Sequence, residues 1–402
     1  MSGRATISGT DTRTEIAIVG GGLAGGLIAL ALRQARPDVA VHLYEAGPVL
    51  GGNHRWSWFE SDLDAAGNAL LAPFRKIAWQ GYEVRFPAYQ RKLKAKYNSL
   101  SSADFEPALR RELGQDTIRT GTPVAALDAN GITLANGTRV SARAVIDCRD
   151  MATGSTLRGG WQVFMGRHFR TPGPHGLAHP IVMDAHVEQH GAYRFVYVLP
   201  LGADELFVED TYYADSPELD RSALSGRIDR YCQAQGWDGT ILHGEAGVLP
   251  VITGGDFAAW QRAQAIDGVA RAGAGGGFVH PLTSYTLPFA VETALAIAAD
   301  ADLPGDQLAA LLADRARRHW ADTGFYRALG RMLFDAAEPD QRYRVFQRFY
   351  RLRQPLIERF YAARSTTADK ARILCGKPPV SILRALSALA GQSAPLRERQ
   401  RP

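Results

Sequence analysis

Two neighbouring carboxylates, Glu209 and Asp210, stand inside an apolar and aromatic run, Leu206-Phe207-Val208-Glu209-Asp210-Thr211-Tyr212-Tyr213. Side chains alternate between the faces of an extended strand, so Glu209 goes with Phe207 and Thr211, and Asp210 with Val208 and Tyr212. A carboxyl turned into an apolar pocket has a raised pKa and can both supply and recover a proton. The pattern predicts one carboxylate facing a cavity and the other facing solvent or a backbone partner. Two surface carboxylates on an edge strand would have the same local sequence.

A second set of residues is built to hold a cofactor. Ile16-Ala17-Ile18-Val19 reads as a buried strand and runs into Gly20-Gly21-Gly22-Leu23-Ala24-Gly25, which fits G-x-G-x-x-G. An apolar helix follows, Leu27 to Leu32. The glycines permit a sharp turn, close approach of a pyrophosphate to bare backbone, and tight packing of helix on strand. The helix N-terminus then offers free N–H groups and the positive end of its dipole. A second strand, Val39 to Tyr44, ends in Glu45, close to the spacing expected of a carboxylate that binds a ribose hydroxyl. The whole order fits within about thirty residues, the size of a βαβ unit. The motif does not choose between NAD and FAD. The paired glycines of Gly51-Gly52-Asn53-His54 resemble those of FAD-containing flavoproteins with two dinucleotide folds. Gly52 to Trp58 is expected to lie near the cofactor.

These residues must be positioned by an α/β fold with an inserted antiparallel sheet. Ala144-Val145-Ile146-Asp147 reads as the strand that returns to the first sheet. Tyr193 to Leu199 and Glu205 to Tyr213 read as an antiparallel hairpin around Gly202-Ala203-Asp204. Ser222 to Gln235 is a helix and Gly244 to Ile252 another strand. Gly268 to Ile297 repeats the order of strand, glycine loop and helix and returns to the first domain. The expected boundaries are a nucleotide domain over 14–150, a sheet-rich lid over 151–262, a return segment over 263–300, and a helical region over 301–402. Residues 1–13 read as a loose leader, and the basic stretch Gln90 to Lys96 as a solvated face.

At 402 residues, with 46% hydrophobic and 22% charged residues, the chain is long enough for about two or three domains. No apolar run approaches the roughly eighteen residues of a membrane-spanning helix. Cys148, Cys232 and Cys375 are widely separated, which points to a reducing compartment and offers no paired metal-ligand spacing. Fourteen Lys and Arg face three Asp and Glu between Gln341 and Pro402, although the whole chain carries only +5. A basic tail on an acidic body suggests an anionic partner. No nucleic-acid motif accompanies that charge, so a lipid surface is the expected one.

Several stretches together resemble one family. They are Val19 to Gly26, Glu45 to His54, Gly160-Trp161-Gln162, Tyr193-Arg194-Phe195, Leu206 to Tyr213, His280-Pro281, Arg331 to Phe334, Ala337 to Asp340, and Asp369-Lys370 with Gly376-Lys377-Pro378-Pro379. The chain resembles the bacterial lycopene β-cyclases of carotenoid biosynthesis, over almost its whole length and in the same order. The resemblance implies a fold like the FAD-dependent hydroxylases, FAD in its reduced form, NADPH or NADH as reductant, and no net redox change. The implied substrates are lycopene and related ψ-end carotenes, converted to β-carotene by way of γ-carotene. Other enzymes of the pathway are further candidate partners. The implied location is the cytoplasm, peripheral on the inner face of the cell membrane.

The resemblance also assigns residues. Glu209 is the expected acid/base, with Asp210 as second choice or orienting partner. Gly20, Gly22, Leu23, Ala24, Gly25, Glu45, Gly52, Asn53, His54, His280 and Pro281 are the expected cofactor contacts. Trp56, Trp58, Trp161, Tyr193, Tyr197 and Tyr212 are candidates for cation–π stabilisation of a carbocation. Arg194 and Glu245 are expected to pair. Arg342 to Arg364, with Phe346, Phe349, Tyr350, Leu356, Phe360 and Tyr361, are expected to sit on anionic lipid; an amphipathic helical domain packed on the body is the other reading of the same stretch. The family commonly has Thr-Gly-Tyr after His-Pro, where this chain has Thr283-Ser284-Tyr285. FAD hydroxylases usually carry a Gly-Asp pair in the late flavin motif, and Ala272 to His280 contains no Asp. That counts against a rival reading as a redox flavoenzyme acting on a polyprenyl lipid.

Overall fold

The computed structural model describes residues 14–376 and 380–396. The leader and the Lys377-Pro378-Pro379 part of the late motif lie outside them. Thr14–Val19 is the centre of the first sheet. It pairs in parallel with Val41–Tyr44 on one side and Arg139–Asp147 on the other, Ile18 opposite Leu43 and Ile146. Ile118–Arg119 extends one edge, and Val269–Arg271 joins Arg139–Asp147 in parallel. Gly131–Leu134 and Val124–Asp128 complete the sheet. Ala144 to Asp147 thus runs in the first sheet, and Val269–Arg271 lies beside it.

The helix Leu23–Ala35 buries every residue from Leu23 to Leu32. A helix apolar all round must be covered all round. It lies between the sheet, the helix Ser102–Leu113 and the helix Leu287–Ala299, in one core containing Ile16, Ile18, Phe105, Leu109 and Ala294. Each fully buried Leu or Ile here contributes about 1.5–3 kcal/mol over its exposed state. Gly26 is required by that packing, since a Cβ would lie 2.6 Å from Leu109 and Phe105.

The second sheet runs in the order Thr240–Gly255, Leu157–Arg170, Glu205–Ala214, Tyr193–Pro200, Ile181–Asp184, Tyr82–Phe86, Tyr89–Leu93. The predicted hairpin is present, Tyr197 opposite Glu209. Two strands of this sheet, Tyr82–Phe86 and Tyr89–Leu93, come from the segment that sequence reading assigns to the nucleotide domain. Their alternation identifies strands but not which sheet they join. A small third sheet (Arg55–Phe59, Tyr97–Ser101, Ile77–Trp79) stands beside them.

The C-terminal region is helical, as expected, but the apolar side chains of its stretch Arg342 to Arg364 do not face outward. Phe346, Tyr350, Leu356, Phe360 and Tyr361 are buried, packed with Tyr82, Tyr193 and Tyr213 in one core. The spacing of an amphipathic helix is the same whether its apolar face meets lipid or protein. Several arginines of this region are likewise structural. Arg342 is buried and donates to the carbonyls of Leu333, Phe334 and Tyr213 and to Asp215. Arg348 donates to the carbonyls of Ile373 and Cys375, and Arg359 forks onto Asp369 at 2.7 Å. Among the described residues no helix is long and apolar enough to cross a membrane.

Candidate functional site

The glycine turn brings bare backbone to the start of the first helix. Gly20 takes a φ of +104°, where a side chain would meet the backbone of Cys148 at 3.0 Å. A Cβ on Gly25 would lie 2.0 Å from the Gly20 carbonyl, so helix and strand meet only without one. Gly22 differs, because nothing lies within 4 Å of its would-be Cβ. It starts the helix Leu23–Ala35 with no side chain capping the first N–H groups. Open space in front of uncapped donors is the geometry that a pyrophosphate needs. Leu23 and Ala24 are buried behind this turn, and the late turn Gly273–Gly277 closes on it, Gly273 against Ala24. The Glu45 carboxylate accepts from the N–H of Gly21 at 2.6 Å and of Gly47 at 2.7 Å, which holds the acid beside the cradle.

The segment after Glu45 links this cradle to the second sheet. Gly51 N–H donates to the Gly21 carbonyl at 2.8 Å. Gly51 and Gly52 both take positive φ, at +75° and +60°. Asn53 Nδ2 donates to the Gly244 carbonyl at 2.8 Å. His54 exchanges hydrogen bonds with Ser102, and burial lowers its pKa.

Glu209 and Asp210 face opposite ways, as the alternation predicts, but neither faces solvent. Asp210 is fully buried, accepting from Arg194 Nε at 2.7 Å and from the Tyr212 hydroxyl at 2.8 Å. Both its oxygens are thus engaged on the face away from Glu209. The strand is interior, between Leu157–Arg170 and Tyr193–Pro200, and not an edge. Glu209 keeps some accessible surface. Its carboxylate accepts from the Thr211 hydroxyl at 2.6 Å. Tyr197 stands directly opposite it, and Phe207 and Thr211 flank it on the same face. Loss of hydration in these surroundings raises its pKa well above the ordinary carboxylate range.

The expected pair Arg194–Glu245 is not formed. Arg194 belongs to Asp210, and Glu245 faces Glu209 instead, near Arg55. Strand order decides this: Arg194 is on the far face, whereas Glu245 and Glu209 both register on Gly166. Of the six aromatic candidates, Tyr197 alone stands opposite Glu209. Tyr193 is on that face but fully buried, stacked on Phe346 at 4.4 Å. Trp161 and Tyr212 lie on the Asp210 face, in a separate core. Trp58 is buried within the core of the nucleotide domain, with Trp56 packed on Phe105 at 5.1 Å.

Sequence reading missed a chain of hydroxyls beside Glu209. Tyr97 meets Tyr197 at 2.9 Å and Tyr285 at 3.0 Å, and Tyr197 donates to Ser57 at 2.9 Å. Its members come from four separated segments, and no local spacing could have found them. A cleft of about 480 Å³, lined by Arg85, His186, His190, Arg194 and Arg227, opens on the Asp210 side and not beside Glu209.

His280 is fully buried with both ring nitrogens engaged, Nε2 with the Phe360 carbonyl at 3.1 Å and Nδ1 with the N–H groups of Leu282 and Thr283 at 3.2 Å. Burial holds it neutral, its pKa lowered to about 3. The Pro281 carbonyl accepts from Ile252 N–H at 2.9 Å and ties this turn to the second sheet. Ser284 takes φ +58°, the left-handed region where glycine is at ease. That explains the glycine usual at this place, and here the Ser284 hydroxyl donates to the Pro250 carbonyl at 3.0 Å in partial compensation. The neighbouring Thr283 hydroxyl is buried with no protein partner, a group a bound cofactor can satisfy.

Comparison with known proteins agrees with this geometry. The family model described as lycopene cyclase protein matches residues 15–387. The lycopene beta-cyclase of Pseudescherichia vulneris is 46% identical over 370 residues, 92% of this chain and 95% of that one. That of Pantoea ananas is 42% identical over 377 residues, 93% and 97% of the two chains. Among solved structures, a geranylgeranyl bacteriochlorophyll reductase-like protein from Thermoplasma acidophilum superposes with a TM-score of 0.63 at 12% identity, covering 94% of this chain and 99% of that one. The p-nitrophenol 4-monooxygenase PnpA from Pseudomonas putida gives 0.60 at 16% identity, covering 88% and 99%. These likenesses show the fold alone, one shared by a reductase-like protein and a monooxygenase.

Proposed function

The chain belongs to the lycopene cyclase family, and from that premise we propose that it acts as a lycopene β-cyclase of carotenoid biosynthesis with Glu209 as the acid and base. The observation that carries the assignment is Glu209 itself: a protonatable carboxyl on an aromatic face of the second sheet, which Gly51 and Asn53 tie to the glycine turn.

The substrate offers only carbon to react with, so the chemistry must start from a proton. Glu209 in its acid form gives its proton to the terminal double bond, forming a C–H bond and a tertiary carbocation. The neighbouring double bond attacks that centre and closes a six-membered ring. The Glu209 carboxylate then removes an adjacent proton, leaving the ring olefin and restoring the acid. Burial makes the acid form available near neutral pH, and its apolar surroundings favour discharging the carboxylate again. Tyr197, in register with Glu209, is the aromatic ring proposed to stabilise the cation. The Tyr97–Tyr197–Tyr285 cluster holds that ring in place.

The cradle fits FAD. Gly20, Gly22 and Gly25 with the uncapped helix end would hold the pyrophosphate, Glu45 a ribose, and the unpartnered Thr283 hydroxyl another polar group of the cofactor. Reduced flavin supplies negative charge that stabilises a cation electrostatically. NADPH or NADH is the proposed reductant. The absence of Asp from Ala272 to His280 separates this chain from the usual redox pattern.

The proposed site of lipid contact, on the cytoplasmic membrane face, moves from Arg342–Arg364 to the helix Ile382–Ala390. There Ile382, Leu383, Leu386 and Leu389 are exposed, Leu383 at 79%, and Leu374 stands exposed as well. An amphipathic helix with an uncovered apolar face beside Arg372 and Arg384 suits an anionic bilayer surface, from which a water-insoluble polyene must be drawn.

Expression in lycopene-accumulating cells with pigment analysis tests the reading. Conversion to β-carotene is expected from the parent chain and none from Glu209→Gln that still binds FAD. A parent chain that binds FAD and converts nothing would refute the assignment.

A further inference from the structure

The acid does not stand alone. Glu209 on Glu205–Ala214 and Glu245 on Thr240–Gly255 are both in register with Gly166 on the strand between them. Directly opposed residues of an antiparallel sheet point to the same face, and Gly166 has no side chain to separate the two carboxyls. The ring of Phe207 covers the place instead, 2.4 Å from where a Cβ on Gly166 would be. Two carboxyls brought together over one glycine repel when both are charged, which favours keeping a proton between them.

We propose that Glu245 is the positioning residue of the acid: it stays protonated through the reaction and donates its O–H to Glu209, stabilising the carboxylate formed each time Glu209 gives its proton to the substrate. This rests on the reading of Glu209 as acid. The balance is simple. The Glu209 O–H bond breaks as the substrate C–H bond forms, the Glu245 O–H bond stays intact, and the proton lost from the ring returns to Glu209.

The surrounding groups are consistent with such a pair. Burial pushes both carboxyls up, with the Asp210 charge adding to it at Glu209 and the Glu209 charge at Glu245. Arg55 is the cation facing Glu245, and Asp104 draws in turn on Arg55. Tyr197 faces Glu209 from the next strand, and Asp210 lies behind it, already paired with Arg194. Further along the same face, His168 and His243 meet at 2.9 Å, with Glu205 on His168. A hydrogen bond from a neutral donor to a carboxylate strengthens the acid, because it favours the charged product.

The test compares Glu245→Gln with Glu245→Leu in the FAD-loaded protein, measuring lycopene conversion across pH. Glutamine keeps an uncharged donor of the same shape, and the parent rate is expected. Leucine fills the space and donates nothing: the rate is expected to fall about 10- to 100-fold. The alkaline limb is expected to move to higher pH, since Glu209 becomes the weaker acid. A Leu variant with the parent rate, a Leu variant slowed with its pH profile unmoved, or a Gln variant as slow as Leu would each overturn the proposal. Should the Leu variant fail to hold FAD, infrared titration of the protonated-carboxyl stretch decides. Two coupled steps are expected in the parent and one, at lower pH, in Glu209→Gln. Independent titrations overturn it. A parent chain that leaves lycopene unchanged would refute the functional reading; an active parent, a dead Glu209→Gln and unaffected Glu245 variants would refute this inference alone.

Discussion

Arg194 donates to Asp210 across two adjacent strands at 2.7 Å, and neither side chain is more than 6% exposed. The ion pair directly behind Glu209 is thus structural. Removing one partner strands the other charge in low dielectric. Asp210→Asn and Arg194→Met are each expected to cost about 3–5 kcal/mol in denaturant unfolding. The double variant Arg194→Met with Asp210→Leu is expected to recover part of that loss. Additive costs in the double variant would show that the two residues are not coupled.

Gly22 and Gly25 separate the folding of the cradle from its use. A Cβ on Gly25 collides with the Gly20 carbonyl, whereas one on Gly22 meets nothing. Gly25→Ala is expected to lower both the melting temperature of the FAD-free chain and flavin retention. Gly22→Ala is expected to leave that melting temperature unchanged while weakening FAD, because its methyl group points where a phosphate would come. Flavin absorbance after gel filtration checks both, and full retention by Gly22→Ala would move the pyrophosphate elsewhere.

His280 makes stability depend on acid. Its folded pKa, about 3, lies below the ordinary 6.5, so the unfolded chain binds the extra proton between those values. The contribution is whole above about pH 6.5 and is lost as pH falls toward 3, at no more than about 1.4 kcal/mol per pH unit. His280→Asn keeps an acceptor for the N–H groups of Leu282 and Thr283. It is expected to unfold with a shallower acid slope than the parent. Equal slopes in urea titrations at several pH values would contradict this.

The uncovered helix gives a test at the surface. Leu383→Glu with Leu386→Glu is expected to reduce co-sedimentation with anionic liposomes while leaving FAD binding intact. Charge reversal at Arg348 is expected instead to destabilise the chain, since that guanidinium holds the carbonyls of Ile373 and Cys375. Undiminished liposome binding by the double leucine variant would place the lipid contact elsewhere.

What the sequence determined alone is what local geometry dictates. The glycine turn and its βαβ unit are legible because adjacent residues alone impose the bend and the open helix end. The opposite facing of Glu209 and Asp210 is legible because the strand period is two. The partners of those carboxylates are not, because partnership depends on which strands lie side by side. The order Thr240–Gly255, Leu157–Arg170, Glu205–Ala214, Tyr193–Pro200 brings Glu245 to Glu209 over Gly166 and sends Arg194 to Asp210. For the same reason the aromatic and arginine-rich C-terminal region, whose spacing suits lipid and protein equally, became core. Tertiary packing chose between them, since the second sheet has an apolar face that those helices help to cover.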